Sequence, residues 1–356
     1  MLLARLPPTS FLAANVAFRT TALRSTATMN SVDSSNPFNL KWHRSMIRCK
    51  DPVASVKYYQ ERFGMKLVDV YHTPSLKRSN YYLASLKDGE EPAWPVAGTP
   101  EAHRLLFDMQ YNCVELEHTH GAEDDADLVY ASGNDEPHRG FGHLAFLTAD
   151  VYKASEELEK AGVSFKKKPD EGRMKGLAFA YDPSGYWIEL VKRSREAEHP
   201  ESFNLGQTML RVKDVYRSLD FYAGMGMTKV CERHFDSFSL YFLQSLSSEE
   251  VSGLPAPDSP EAYARMGASW APVLELTHNH GTENNPDFSY HNGNTDPKGF
   301  GFLGFVADDL DGASQWLREK GVPEIQEPAI FAGKLRRFAD PDGYHVQLAQ
   351  RKAVLK

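Results

Sequence analysis

The sequence predicts an α+β fold assembled from four βαβββ modules. Three observations predict it: the chain is written twice, each copy runs through the same order of strand and helix signals, and each copy closes on the same turn. Met46-Ile47-Arg48-Cys49-Lys50-Asp51 recurs as Met209-Leu210-Arg211-Val212-Lys213-Asp214. Val114-Glu115-Leu116 recurs as Leu274-Glu275-Leu276, and Gly140-Phe141-Gly142 as Gly299-Phe300-Gly301. The offset is about 160 residues, far beyond the roughly 20–50 of solenoid repeats, so the repeated unit is a whole domain. The copies cover 39–195 and 203–351. The join at 196–202 contains Pro200 and charged residues, as a surface linker does.

Each element follows from local signals. A short strand opens each copy, at 45–48 and 208–212. Asp51 and Asp214 then supply helix N-caps, and Gly64 and Gly226 supply the stops. Strands follow at Tyr81-Tyr82-Leu83-Ala84 and Leu240-Tyr241-Phe242-Leu243. A second module begins at Gly142 or Gly301, with a helix over 151–161 or 310–320. It ends in a hairpin through Asp182-Pro183-Ser184-Gly185-Tyr186 or Asp340-Pro341-Asp342-Gly343-Tyr344. Proline presets φ there and glycine accepts a positive φ.

Composition narrows the function classes. The 356 residues are 41% hydrophobic and 25% charged, ordinary values for a globular chain. No run approaches the roughly 18 apolar residues of a spanning helix, so no membrane role is expected. Lys plus Arg number 40 against 48 Asp plus Glu, a net charge of −8 that repels phosphate backbones and argues against nucleic acid. Three cysteines, Cys49, Cys113 and Cys231, suit a reducing compartment rather than a disulfide framework. Residues 1–32 lack Asp and Glu but carry Arg5, Arg19 and Arg24. That composition reads as a transit peptide for a mitochondrion or plastid, the bland alternative being a disordered tail without an address. Met29 offers an internal start for a cytosolic form.

Strand alternation assigns faces. Gln207 and Arg211 share one side of their strand. Glu275 points away from Leu274 and Leu276, His143 away from Leu144 and Phe146, and Glu189 away from Ile188 and Leu190. Taken singly, such a carboxylate is usually the wet face of a strand, and such a histidine a structural one. No short-spacing metal motif of the His-Glu-x-x-His type is present.

Taken together, these segments resemble glyoxalase I (lactoylglutathione lyase) in its duplicated single-chain form, within the vicinal-oxygen-chelate superfamily. The resemblance spans both copies. Its most specific pieces are Gln207 through Asp214, Leu274 through Asn279, His291-Asn292-Gly293-Asn294, Arg139 through His143, Met174 through Phe179, and Asp182 through Glu189. It implies two paired glyoxalase domains and one composite metal site of Gln207, Glu275, His143 and Glu189, two ligands from each copy. The alternative combination is Arg44, Glu115, Phe302 and Gln347, which loses three of four positions and implies a degenerate site. That second site keeps Arg48 and Lys298, which leaves open whether it binds an anion or glutathione.

The resemblance further implies the chemistry. The expected activity is isomerisation of the methylglyoxal–glutathione hemithioacetal to S-D-lactoylglutathione. Glu189 is the expected base, and Glu275 its counterpart on the opposite face. Arg211, Asn279, Arg139, Arg173 and Met174 are the expected substrate contacts, with glutathione as co-substrate. Two carboxylates, one imidazole and one amide would suit a divalent cation. The long segments 85–104 and 243–271 resemble those of the zinc-using class, although nickel, cobalt or manganese would also fit. A fused dimer is expected to work as a monomer. The competing expectations are a dioxygenase-like relative, which Gln207 argues against because that iron chemistry wants two histidines and one carboxylate, and a non-catalytic glutathione binder, which the intact quartet argues against.

Overall fold

The computed structural model describes residues 36–353 apart from 88, 91–92, 173, 195–196, 198–201 and 332. The leader over 1–32, with Met29, lies outside the described residues, as do Arg173 and most of the linker 196–202.

Four βαβββ modules follow one another. The first runs β1 (Lys41–Arg48), α1 (Pro52–Phe63), β2 (Lys66–Thr73), β3 (Arg78–Ala84), α2 (Pro100–Leu106) and β4 (Cys113–Thr119). The second runs β5 (Phe141–Thr148), α3 (Val151–Lys160), β6 (Phe165–Lys167), β7 (Ala178–Tyr181) and β8 (Trp187–Lys192). The third runs β9 (Asn204–Val212), α4 (Val215–Gly224), β10 (Thr228–His234), β11 (Phe238–Gln244), α5 (Ser248–Ser252), α6 (Pro260–Ala268) and β12 (Val273–Asn279). The fourth runs β13 (Phe300–Ala307), α7 (Leu310–Glu319), β14 (Glu324–Ile325), β15 (Leu335–Ala339) and β16 (His345–Gln350).

The α+β class and the four modules agree with the sequence. The opening strands are longer than the apolar pattern suggested. Buried polar residues, His43 and Arg44 in β1 and Asn204 in β9, interrupt the hydrophobic signal without interrupting the ladder.

Aspartate caps start the four long helices. Asp51 Oδ1 accepts from the amides of Val53 and Ala54 at 2.8 and 3.0 Å, and Asp150, Asp214 and Asp309 repeat the device. Gly64 ends α1 at φ 64°, a left-handed turn that a side chain would strain. The buried face of α1 is Pro52, Ser55, Tyr59 and Phe63, at helical spacing. Phe63 stacks on Phe146 of β5 with centroids 4.2 Å apart.

The strands pair across the repeat. One sheet has the order β14-β15-β16-β13-β1-β4-β3-β2, and the other β10-β11-β12-β9-β5-β8-β7-β6. Each sheet therefore joins the first module of one copy to the second module of the other. The seams are the antiparallel pairs β1–β13 and β5–β9. The pseudo-twofold shows where equivalent residues meet: Ser45 and Thr208 hydroxyls lie 2.8 Å apart, and Phe141 stacks on Phe300 at 5.1 Å.

The predicted Asp-Pro-x-Gly-Tyr hairpins tie the sheets together. Asp340 Oδ1 accepts from the amides of Asp342 and Tyr344, while Oδ2 accepts the Tyr222 hydroxyl at 2.8 Å. Asp182 repeats this with Tyr59 at 2.9 Å. Burial, aided by the Asp342 charge, pushes the Asp340 carboxyl up to about 7. Its contribution to stability is therefore complete below the ordinary carboxylate range and lost as pH rises through about 7. Asp340→Ala is expected to lower stability by about 2–3 kcal/mol near pH 5, because buried donors lose their acceptor. The deficit should shrink toward about pH 8. Denaturant midpoints at the two pH values measure it, and a deficit that grows with pH would contradict the argument.

Candidate metal and substrate site

Four strands of the second sheet bring Gln207, Glu275, His143 and Glu189 together. Gln207 lies on β9 and Glu275 on the parallel neighbour β12, in a register where Val273 faces Gln207 and Glu275 faces Met209. His143 lies on β5 and Glu189 on β8, where Ala145 is the register partner of both Glu189 and Gln207. Alternation turns all four inward, and all are buried.

The amide Nε2 of Gln207 donates to Glu189 Oε2 at 2.8 Å and to Glu275 Oε2 at 2.9 Å, and lies 3.2 Å from His143 Nε2. His143 Nε2 is 3.1 Å from Glu189 Oε2 and 3.8 Å from Glu275 Oε2. Ligand atoms of His143, Glu189 and Glu275 all fall within 4.8 Å of one another. Thr277 Oγ1 donates to the other Glu275 oxygen at 3.1 Å, fixing that carboxylate. Burial draws the His143 imidazole down, but the carboxylates of Glu189 and Glu275 outweigh it and push it up to about 9.

Two buried carboxylates here have no lysine or arginine partner among the described residues. A divalent cation would supply the missing charge. The donor set, two carboxylates, one imidazole nitrogen and the Gln207 carbonyl once the amide is flipped from its present Nε2-inward setting, suits such an ion.

The equivalent positions in the other sheet test this fit from within the same chain. They are Arg44, Glu115, Phe302 and Gln347. Arg44 Nε donates to Glu115 Oε2 at 2.7 Å, and Nη2 donates to Gln347 Oε1. The guanidinium also lies over the Phe302 ring at 5.4 Å. Asn80 Nδ2 donates to the second Glu115 oxygen at 2.8 Å. Here the protein places a guanidinium where the first group has the neutral Gln207 amide.

The remaining sequence-predicted contacts surround the first group unevenly. Arg211 lies on the face of Gln207, as alternation predicted, but most of its donors are already used. Nη1 reaches the carbonyls of Gly133, Gly140 and Phe141 at 3.0, 3.3 and 3.2 Å, and Nη2 reaches Asn134 Oδ1 at 2.9 Å. It thereby pins the loop that leads into β5 and His143. Burial and the neighbouring Arg139 cation hold the Arg211 guanidinium below its ordinary range. Asn279 continues the Glu275 face and donates to the Tyr290 hydroxyl at 2.8 Å. Arg139 is partly exposed beside Glu136 at 3.2 Å, and Met174 is more than half exposed.

One lysine lies within electrostatic range of Glu189 without touching it. The Lys167 ammonium at the end of β6 donates to the Leu177 carbonyl at 2.5 Å, and Glu189 is among the charges acting on it. In the sequence it stands in the run Lys166-Lys167-Lys168, where nothing singles out the middle residue.

Comparison with known proteins identifies the relatives of the chain. The model of the Glyoxalase/Bleomycin resistance protein/Dioxygenase superfamily matches twice, over 41–190 and 204–348. A Saccharomyces cerevisiae protein named glyoxalase I is 39% identical over 329 residues, covering 88% of this chain and 94% of that one. A Schizosaccharomyces pombe lactoylglutathione lyase is 36% identical over 322 residues, covering 88% and 97%. The crystal structure of glyoxalase I from Zea mays is similar at a TM-score of 0.61, with 26% identity over 88% of this chain and 92% of that one.

Proposed function

The chain belongs to the Glyoxalase/Bleomycin resistance protein/Dioxygenase superfamily, and from that premise we infer that it is a metal-dependent lactoylglutathione lyase. It isomerises the hemithioacetal of methylglyoxal and glutathione to S-D-lactoylglutathione. The observation that carries this reading is the buried quartet of Gln207, Glu275, His143 and Glu189, two carboxylates with no lysine or arginine partner among the described residues.

We assign the metal to these four residues, and zinc as the ion, with nickel, cobalt and manganese chemically admissible. A bound divalent ion supplies a Lewis acid for charge developing on two vicinal substrate oxygens. Glu189 takes the proton from the carbon bearing sulfur and returns it to the neighbouring carbon. Glu275, facing it across the group, serves the other epimer of the hemithioacetal. Gln207 cannot accept a proton and acts as a neutral ligand. His143 supplies an imidazole nitrogen to the ion, its Nε2 standing 3.1 Å from Glu189 Oε2. Arg211 and Asn279, with Arg139, Arg173 and Met174 from the other copy, receive the glutathione moiety. Guanidinium groups suit its carboxylates, and the partial exposure of Arg139 and Met174 fits the mouth of a site that must admit a tripeptide.

The test is thioester formation, followed by ultraviolet absorbance, with elemental analysis of the purified protein. One equivalent of metal per chain is expected, and chelation should abolish turnover. Two equivalents, or turnover that survives chelation, would contradict the assignment. Because both halves of the site lie in one chain, we propose that the monomer is the working unit, read by light scattering. We assign 1–32 to an import leader for mitochondrion or plastid, with translation from Met29 giving a cytosolic form.

A further inference from the structure

The repeat allows each side chain of the degenerate centre to be set against its counterpart by strand register. Arg48 faces Glu117 across β1 and β4, and Arg211 faces Thr277 across β9 and β12. Both arginines make the same clamp. Arg48 Nη1 donates to the carbonyls of Gly293, Gly299 and Phe300 at 3.0, 3.1 and 3.2 Å, and Nη2 to Asn294 Oδ1 at 2.9 Å. These are the counterparts of the four bonds made by Arg211. The clamp uses Nη1 and one bond from Nη2 of a five-donor fork and leaves Nε for another acceptor.

In the degenerate centre that edge is taken. Glu117 Oε1 lies 3.4 Å from Arg48 Nε, and Glu117 Oε2 accepts from Arg78 Nη1 at 2.8 Å. In the working centre the counterpart of Glu117 is Thr277. The counterpart of Arg78, which faces Thr119 across β3 and β4, is Phe238, which faces Asn279 across β11 and β12. No carboxylate pairs with Arg211 among the described residues. The two centres thus differ at a second point besides the metal position: one carries an internal carboxylate on its arginine, and the other leaves that arginine for an external one.

We propose that the degenerate centre is self-liganded, with the Arg44 guanidinium in the place of the metal and the Glu117 carboxylate in the place of a substrate carboxylate, so that it takes up neither metal nor glutathione. An entering carboxylate would have to displace Glu117 from two guanidinium groups and leave it buried without a counter-charge, which the interior penalises heavily. Arg48 and Lys298 therefore do not make this centre a second glutathione site. The proposal rests on the reading that the working centre receives a glutathione conjugate.

The test is isothermal titration of the full, metal-loaded chain with S-methylglutathione. The wild type should bind one equivalent. Glu117→Thr, which copies Thr277, and Glu117→Gln, which keeps shape but removes charge, both free Arg48 and Arg78 and should bind a second equivalent. Turnover at the working centre should stay within about two-fold of wild type. Where the threonine variant fails to fold, the glutamine variant decides. Two equivalents on the wild type, or one equivalent on every folded variant, overturns self-liganding. A wild type that binds none overturns the glutathione reading itself.

Discussion

Glu189→Gln is expected to lower kcat by about 10²–10⁴-fold for the epimer whose proton Glu189 takes, the usual contribution of a positioned general base. KM should change little, the other epimer should still turn over through Glu275, and one metal should be retained per chain. The substitution keeps the side-chain length and one carbonyl oxygen, so a ligand remains; only the capacity to accept a proton is lost. Gln207 already represents a neutral amide in the same group, donating at 2.8 and 2.9 Å to the two carboxylates. The other sheet carries the same replacement at Gln347, the register counterpart of Glu189: Gln347 faces Arg337 across β15 and β16 as Glu189 faces Phe179 across β7 and β8. Gln347 sits folded and buried there. A glutamine at 189 is thus compatible with the fold, and lost turnover can be assigned to chemistry. Steady-state kinetics combined with elemental analysis separates the outcomes. Full activity would remove Glu189 as the base. Lost activity together with lost metal would make it a ligand first.

How far the sequence carried varies by element and for physical reasons. The helix starts were legible because an aspartate cap is a local bond between a side chain and amides two or three residues on, as at Asp51 and Asp214. The hairpins were legible because Pro and Gly encode the turn by themselves. The inward faces of Gln207, Glu275, His143 and Glu189 followed from alternation. Which modules share a sheet did not follow from it, because strand partners lie across the repeat and periodicity carries no record of a partner. The resemblance supplied that pairing of ligands. Within the long segments 85–104 and 243–271 the helix starts are equally local. Ser247 and Glu250 form a capping box, and Thr99 and Ser259 each cap a helix that begins with proline. The use of Arg211 as a loop clamp was out of reach, because its acceptors are backbone carbonyls that no side-chain pattern marks. The contrast of Glu117 with Thr277 stands in the sequence, but it acquires meaning only when register sets each beside its arginine.

Arg44→Met should cost about 3–5 kcal/mol of stability, the usual penalty for removing one partner of a buried ion pair. Arg44 is 1% exposed and Glu115 3%, so solvent cannot screen the abandoned carboxylate. Methionine replaces much of the volume and keeps contact with Phe107 and Phe302, over whose rings the guanidinium now lies at 5.1 and 5.4 Å. The cost is therefore chiefly charge. Burial already raises the Glu115 carboxyl above its ordinary range although Arg44 opposes it, and without Arg44 it rises further. A carboxyl raised by folding destabilises when it must ionise, so the deficit of the variant should be largest at neutral pH. It should shrink on acidification as Glu115 takes up a proton. Adding Glu115→Gln removes the stranded charge, and most of the lost stability should return. The working centre lies in the other sheet, so turnover per folded molecule should be preserved in both variants. Denaturant midpoints at two pH values, with active-site titration, read all of this. A single variant as stable as wild type at neutral pH would mean that Arg44 does not compensate the Glu115 charge. A double variant no better than the single one would mean that the loss lies in packing around Phe302. The recovery expected instead would show why one sheet folds without a metal: its cation is covalently part of the chain.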